Sequence, residues 1–173
     1  VSRLATSRSG LKAVSSPSVY LAGPITGLTW DEAEAWRLPD SQTATTIARY
    51  GGAVLNPMRD QHKWDTGGPL PDNFDGSTGI QEDFRMIEEC SAILANFVGA
   101  KAVSLGTIAE LGYGYAMHKP IVVAMEPDNI HNHAFIREMA TTIRPTLVGA
   151  ASAVGFLIET TPVYRDAVAV PYA

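Results

Sequence analysis

Short apolar runs recur along this chain at wide spacing: Val19-Tyr20-Leu21-Ala22, Ala53-Val54-Leu55, Ala92 to Phe97 (apolar but for Asn96) and Ile121 to Met125. None alternates apolar with polar residues, as a strand with one wet face would. Stretches of helical character separate them. The first is expected over residues 31–50, capped by Asp31, broken at Pro39 and ended by Gly51-Gly52. Others are expected over residues 80–89, 107–118 and 134–143, followed by a brief strand at Thr146-Leu147-Val148 and an Ala-rich helix to Glu159. Fully apolar strands alternating with helices specify an α/β chain, with a parallel sheet covered on both faces. In such sheets a ligand binds beyond the carboxyl ends of the strands, so chemistry is sought just after each run.

The chain of 173 residues suits one domain, expected over residues 18–160. Residues 1–17 read as a tail without the apolar core of a signal peptide, and residues 161–173 as a second tail. Residues 58–79 hold four Gly, two Pro and four Asp without periodicity, a long loop of the kind used as a lid or insertion. The net charge of −5 excludes a chain that holds long nucleic acid by bulk charge, yet one loop can still bind a small phosphorylated ligand. No apolar run approaches the ~18 residues that span a bilayer. One cysteine, Cys90, excludes intrachain disulfides, reads as a buried thiol and makes the reducing cytoplasm the expected setting.

Three segments after strands, or leading into them, could carry chemistry. Gly23-Pro24-Ile25-Thr26-Gly27 follows the first run; it is either an ordinary tight turn or a loop whose backbone amides approach a ligand. It matches neither the dinucleotide fingerprint nor the P-loop. Ser104 to Gly112 leads from a loop into a helix, whose free N–H groups face the ligand edge. Glu110 there is either a helix-stabilising acid paired with Thr107 or a reactive carboxylate beside a ligand that Gly106 and Gly112 admit. Asp83 is either a first-turn acid favoured by the helix dipole or a functional group. Asn56 could start a turn or read a base edge, and Trp30, Trp36 and Trp64 could be core or stack a base. His131 and His133 resemble half a metal site with no third ligand at suitable spacing; a solvated loop is the expectation, and no metal or cofactor.

Taken together, three pieces resemble the nucleoside 2-deoxyribosyltransferase family, including its nucleotide N-glycosidase branch. They are Val19-Tyr20-Leu21-Ala22-Gly23-Pro24, Asp83 followed by Ser91 to Ala95, and Gly106-Thr107 with Glu110, Gly112 and Lys119-Pro120. The resemblance spans residues 19–125. It implies a flavodoxin-like (Rossmann-like), doubly wound sheet of five parallel strands with helices on both faces. It also implies that Glu110 is the nucleophile that attacks the anomeric carbon, that Tyr20 orients it, and that Asp83 protonates the leaving base. The chemistry is that of a retaining glycosidase, through an oxocarbenium-like transition state. Gly23, Pro24, Ile25, Gly106, Asn56 and Trp30 are the accompanying candidates for substrate contact.

Ser104, six residues before Glu110, bears on the substrate. The nucleoside transferases of the family commonly place there an aspartate that accepts the sugar 5′-hydroxyl; the nucleotide hydrolases place a serine. Two unit charges ~4 Å apart at an effective dielectric of about 20 repel by roughly 4 kcal/mol, so an acid there would reject a 5′-phosphate. A serine with neighbouring amides would accept it. The expectation is a nucleoside 5′-monophosphate or 2′-deoxynucleoside, hydrolysed to free base and sugar or exchanged onto a second base. The rival reading is a non-catalytic nucleotide-binding module. The loop at Gly23 lacks the Arg common in the mononucleotide hydrolases. The family also implies a homodimer or higher homo-oligomer.

Overall fold

The computed structural model describes residues 16–25, 28–58 and 76–160. The two expected tails for the most part, the middle of the 58–79 loop, Trp64 and Thr26-Gly27 lie outside the described residues. The elements run β1 (Ser18–Ala22), α1 (Trp30–Glu34), a 3₁₀ turn (Ala35–Arg37), α2 (Gln42–Ala48), β2 (Ala53–Leu55), α3 (Gly76–Glu89), β3 (Ala92–Asn96), α4 (Leu105–Ala116), β4 (Ile121–Ala124), α5 (Ala134–Met139), β5 (Thr142–Arg144) and α6 (Leu147–Thr160). The five strands form one parallel sheet in the order β2-β1-β3-β4-β5. That is the flavodoxin-like order, which reverses direction between β1 and β3 and opens a crevice there at the carboxyl edge.

Because side chains alternate across a strand, each apolar run feeds two cores. Tyr20, Ala22, Ile93, Ala95, Ile121 and Val123 face α3, α4 and α5 through Met86, Ile87, Leu111 and Ile136. Val19, Leu21, Ala92, Leu94, Val122 and Ala124 face α2 and α6 through Ile47, Ala150, Ala151, Val154 and Ile158. The α4 helix can lie close to the sheet because residue 114 is glycine: a Cβ there would sit 2.2 Å from Ile93 Cδ1. Cys90 is buried and its thiol donates to Ile87 O; burial pushes its pKa up to about 11, the state of an inert core thiol. Lys119 Nζ donates to Glu88 O and Cys90 O, closing the end of α3.

Several boundaries depart from expectation for definable reasons. The first helix is capped by Thr29 rather than Asp31: Glu32 N donates to Thr29 Oγ1 and Thr29 N to Glu32 Oε2, a reciprocal capping box. The break at Pro39 is real, and Ser41 caps a separate second helix. The last strand is Thr142–Arg144, not Thr146-Leu147-Val148. Pro145 cannot donate to a ladder, and Thr146 Oγ1 accepts from Gly149 N, so that segment opens α6 instead. The preceding helix accordingly stops at Met139. Among the described residues no helix is long and apolar enough to cross a membrane.

Candidate active site

Tyr20 lies in the middle of β1, the strand at the switch point, and its parity turns the ring towards α3 and α4. Its hydroxyl donates to Glu110 Oε1 at 2.7 Å, across 90 residues of sequence. Glu110 is the sixth residue of α4, so its carboxyl projects from the second turn instead of pairing with Thr107 at the helix start. Thr107 is buried, and its hydroxyl meets that of Ser104 at 2.9 Å. The capping reading of Glu110 is thereby removed.

Asp83 sits in the middle of α3, the eighth of its 14 residues, and the first turn of that helix holds no acid. The expectation that it begins the helix fails because α3 starts at Gly76, and a dipole role fails with it. Asp83 instead lies within electrostatic reach of Tyr20 and Glu110. Burial, reinforced by the Asp83 charge and opposed by the Tyr20 hydrogen bond and by Arg37, pushes Glu110 up to about 7. Burial and the two carboxylates hold the Tyr20 phenol far above its ordinary value, so it stays a donor at all accessible pH.

Arg37, which the sequence reading passed over, is fully buried. It donates through Nε to Leu21 O at 3.2 Å, through Nη2 to Gly23 O at 2.8 Å, and through Nη1 to Ala33 O and Met58 Sδ. Burial lowers its pKa only to about 10, because Glu110, Tyr20, Asp83 and Glu34 all favour the cation. It therefore stays charged at neutral pH and supplies a countercharge to the carboxylates. The available signal was its place four residues after Ala33, on the stripe that faces the core.

The other expected residues are placed as follows. A Cβ on Gly23 would lie 2.8 Å from Trp36 Cζ2 and 2.9 Å from Arg37 Nη2, so the need for glycine is packing against those side chains. Pro24 is half-buried and Ile25 exposed at the end of β1. Given a Cβ, Gly106 and Gly112 would meet nothing within 4 Å among the described residues. Trp30 opens α1 and donates from Nε1 to Glu34 Oε2 at 2.6 Å. Asn56 follows β2, where its Oδ1 accepts from Met58 N in a turn of the kind Asn-Pro begins. Trp36 packs on the second core and beneath the Arg37 guanidinium, 4.3 Å from its ring.

Ser104 occupies the cap position of α4 without capping it, which leaves the first-turn N–H groups of Leu105, Gly106 and Thr107 without intrahelical acceptors. The Ser104 N–H itself is committed: it donates to His131 Nε2 at 2.9 Å. His131 is buried and stacked on Phe97 at 3.9 Å, not solvated as expected, whereas exposed His133 caps α5. Among the described residues no cluster of three or more His, Cys, Asp or Glu could hold a metal ion.

A family model described as nucleoside 2-deoxyribosyltransferase matches residues 19–159. Among solved structures, the chain is similar to the CMP N-glycosidase BcmB of Clostridium botulinum, at 20% identity and a TM-score of 0.51, over 81% of this chain and 98% of that one. It is also similar to a 2-deoxyribosyltransferase of Bacillus psychrosaccharolyticus, at 15% identity and a TM-score of 0.54, over 84% and 93%. At such identities the likeness to these structures is one of fold. No curated protein matches the sequence.

Proposed function

The chain belongs to the nucleoside 2-deoxyribosyltransferase family, and from that premise we propose that it cleaves the N-glycosidic bond of a nucleoside 5′-monophosphate through a glycosyl ester on Glu110. The coarser activity, N-glycosidase or deoxyribosyltransferase, follows from the family itself. The observation that carries the finer reading is the 2.7 Å hydrogen bond from Tyr20 to Glu110 Oε1 at the switch-point edge of the sheet.

In the proposed first step Glu110 Oε2, left free by that bond to Oε1, attacks C1′. The C1′–N bond breaks, and Asp83, which carries the single proton of the carboxyl pair while Glu110 is ionised, gives it to the departing base. A carboxylate ~4 Å from the positive oxocarbenium carbon gains roughly 4 kcal/mol at an effective dielectric of about 20, on the order of 10³ in rate. In the second step water attacks C1′, Asp83 takes its proton, and Glu110 leaves as carboxylate. A free base in place of water gives transfer.

Glu110 must be ionised to attack, and its pKa near 7 leaves a substantial anionic fraction at neutral pH. Tyr20 and Arg37 both favour that anion. Ser104 and the open amides of α4 support a 5′-phosphate, because a hydroxyl and a positive helix end stand where a carboxylate would repel it. The homo-oligomer implied by the resemblance belongs to the same proposal, and sedimentation velocity reads it directly.

The test is a panel of nucleosides and 5′-monophosphates, each incubated with and without a second free base. Free base with sugar phosphate supports hydrolysis, and an exchanged base supports transfer. Folded protein that turns over nothing in the panel would sink the enzyme and leave the binding module. Rapid-quench mass spectrometry then looks for the sugar adduct on the peptide that carries Glu110.

A further inference from the structure

The β3–α4 and β4–α5 loops are tied together by a chain of hydrogen bonds that the proposed reaction does not use. Glu126 Oε1 accepts from Gly99 N at 2.9 Å, and Glu126 Oε2 from Asn129 Nδ2 at 2.8 Å. Asn129 Nδ2 also donates to Phe97 O at 2.7 Å, which leaves Oδ1 as the acceptor for His131 N at 2.9 Å and for the ring at Nδ1, 3.1 Å away. The network thus assigns the proton to Nδ1, and Nε2 is left to accept from Ser104 N at 2.9 Å. Phe97 covers one face of the ring at 3.9 Å, and the side chain is 2% exposed. A ring held on three sides orients its last partner as metal-bound histidines are oriented by the groups behind them.

We infer that His131 is a positioning residue for the 5′ end of the ligand, clamping the backbone of Ser104 so that the uncapped first turn of α4 faces the substrate in one orientation. The inference rests on the proposed reading of Ser104 and α4 as the 5′-phosphate subsite. It assigns His131 a role without contact to the sugar. The clamp works only with a neutral ring, because a protonated Nε2 cannot accept. Burial favours the neutral ring. Among the described residues charged groups reach it at second hand: Glu126 through Asn129, and Lys101 beside Glu126. On the same loop Asp128 and His133 are exposed, and on α4 Glu110 is engaged by Tyr20.

The experiment pairs kinetics with amide hydrogen exchange in the full chain. In His131→Leu the Ser104 amide loses about tenfold in protection, and KM for a 5′-monophosphate rises about tenfold while kcat stays within about twofold. His131→Gln, whose side-chain oxygen can accept from Ser104 N, recovers most of both. In the wild type, the protection factor of the Ser104 amide falls as NMR shows His131 taking up its proton, an arm that needs no variant to fold. Unchanged protection and KM in folded His131→Leu overturn the inference, as does protection indifferent to the ring's protonation. An equal rise in KM for the nucleoside without phosphate overturns the assignment to the 5′ end. Since the exchange arms need no turnover, failure of the proposed substrate and failure of the clamp are read separately.

Discussion

On the face of the sheet covered by α2 and α6, Val19, Leu21, Leu94 and Val122 meet Ile47, Val154 and Ile158, all of them apolar. On the opposite face the same strands send Tyr20 among Ile93, Leu111 and Met86, and its hydroxyl ends on a carboxylate. The two faces are built from the same strands, read at odd and even positions. The contrast shows how little polar chemistry a fold of this kind needs to admit. One phenol on β1 and one acid on each of two helices give one face a charged corner, and buried Arg37, stacked on Trp36 at the end of β1, supplies the countercharge.

Substitution can break that contrast at either face. The largest expected effect is Glu110→Gln, which removes the proposed nucleophile and lowers kcat by 10³ or more, about 4 kcal/mol of barrier, at unchanged fold. Base release at near wild-type rate in that variant would return Glu110 to a structural role. On the other face Leu94→Ala costs about 3 kcal/mol of unfolding free energy in a denaturant titration and leaves kcat within about twofold. A matching loss of rate would mean that the apolar face also sets the chemistry. Asp83→Asn, which keeps shape and removes the acid, is expected to lower kcat by roughly 10²-fold for a poor leaving base and less for a base that needs no proton. The same loss for both bases would count against proton donation.

Subtler effects sharpen the comparison through pH. Burial has raised Glu110 from 4.5 to about 7, so the folded chain binds a proton that the unfolded chain releases. The stability associated with its protonated form is present below pH 4.5 and is lost as pH rises through about 7. Glu110→Gln should therefore be more stable than wild type at pH 8, by roughly 1–3 kcal/mol, and nearly equal at pH 4. Equal melting at both pH values would show that the carboxyl is not desolvated. The smallest effect is expected for Tyr20→Phe: about a tenfold fall in rate, with the acid limb of the pH–rate profile moved to higher pH. The sign follows because the lost hydrogen bond had favoured the anion. A limb moved to lower pH would contradict it.

How far this was legible in the sequence depended on the range of the interactions. The first four strands are marked by local apolar runs, and their unbroken character is itself a consequence of burial on both sides. The fifth was displaced by a few residues because Thr146-Leu147-Val148 has strand-like composition. What decided the matter was Pro145 before it and the pairing of Val122 with Thr142. Asp83 was visible as an acid but misplaced within its helix, because residues 76–79 (Gly-Ser-Thr-Gly) carry no apolar periodicity and still form its first turn. Arg37 was passed over and His131 was expected in a solvated loop for a common reason: each is held largely by backbone atoms 4–27 residues away in sequence. A polar side chain's backbone partner leaves no residue-type pattern to read.

The sequence alone determined the α/β alternation, a parallel sheet with helices on both faces, its first four strands, and the segments that carry Tyr20, Asp83 and Glu110. Those follow from hydrophobic periodicity and turn chemistry, which act over a few residues. Only the tertiary structure decided that a buried Arg37 supplies countercharge beside the carboxylates, that burial brings Glu110 to about 7, and that His131 occupies the Ser104 amide. Desolvation and long-range hydrogen bonding depend on what surrounds an atom in space, and that surrounding is assembled only when β1, β3 and α4 close on one another.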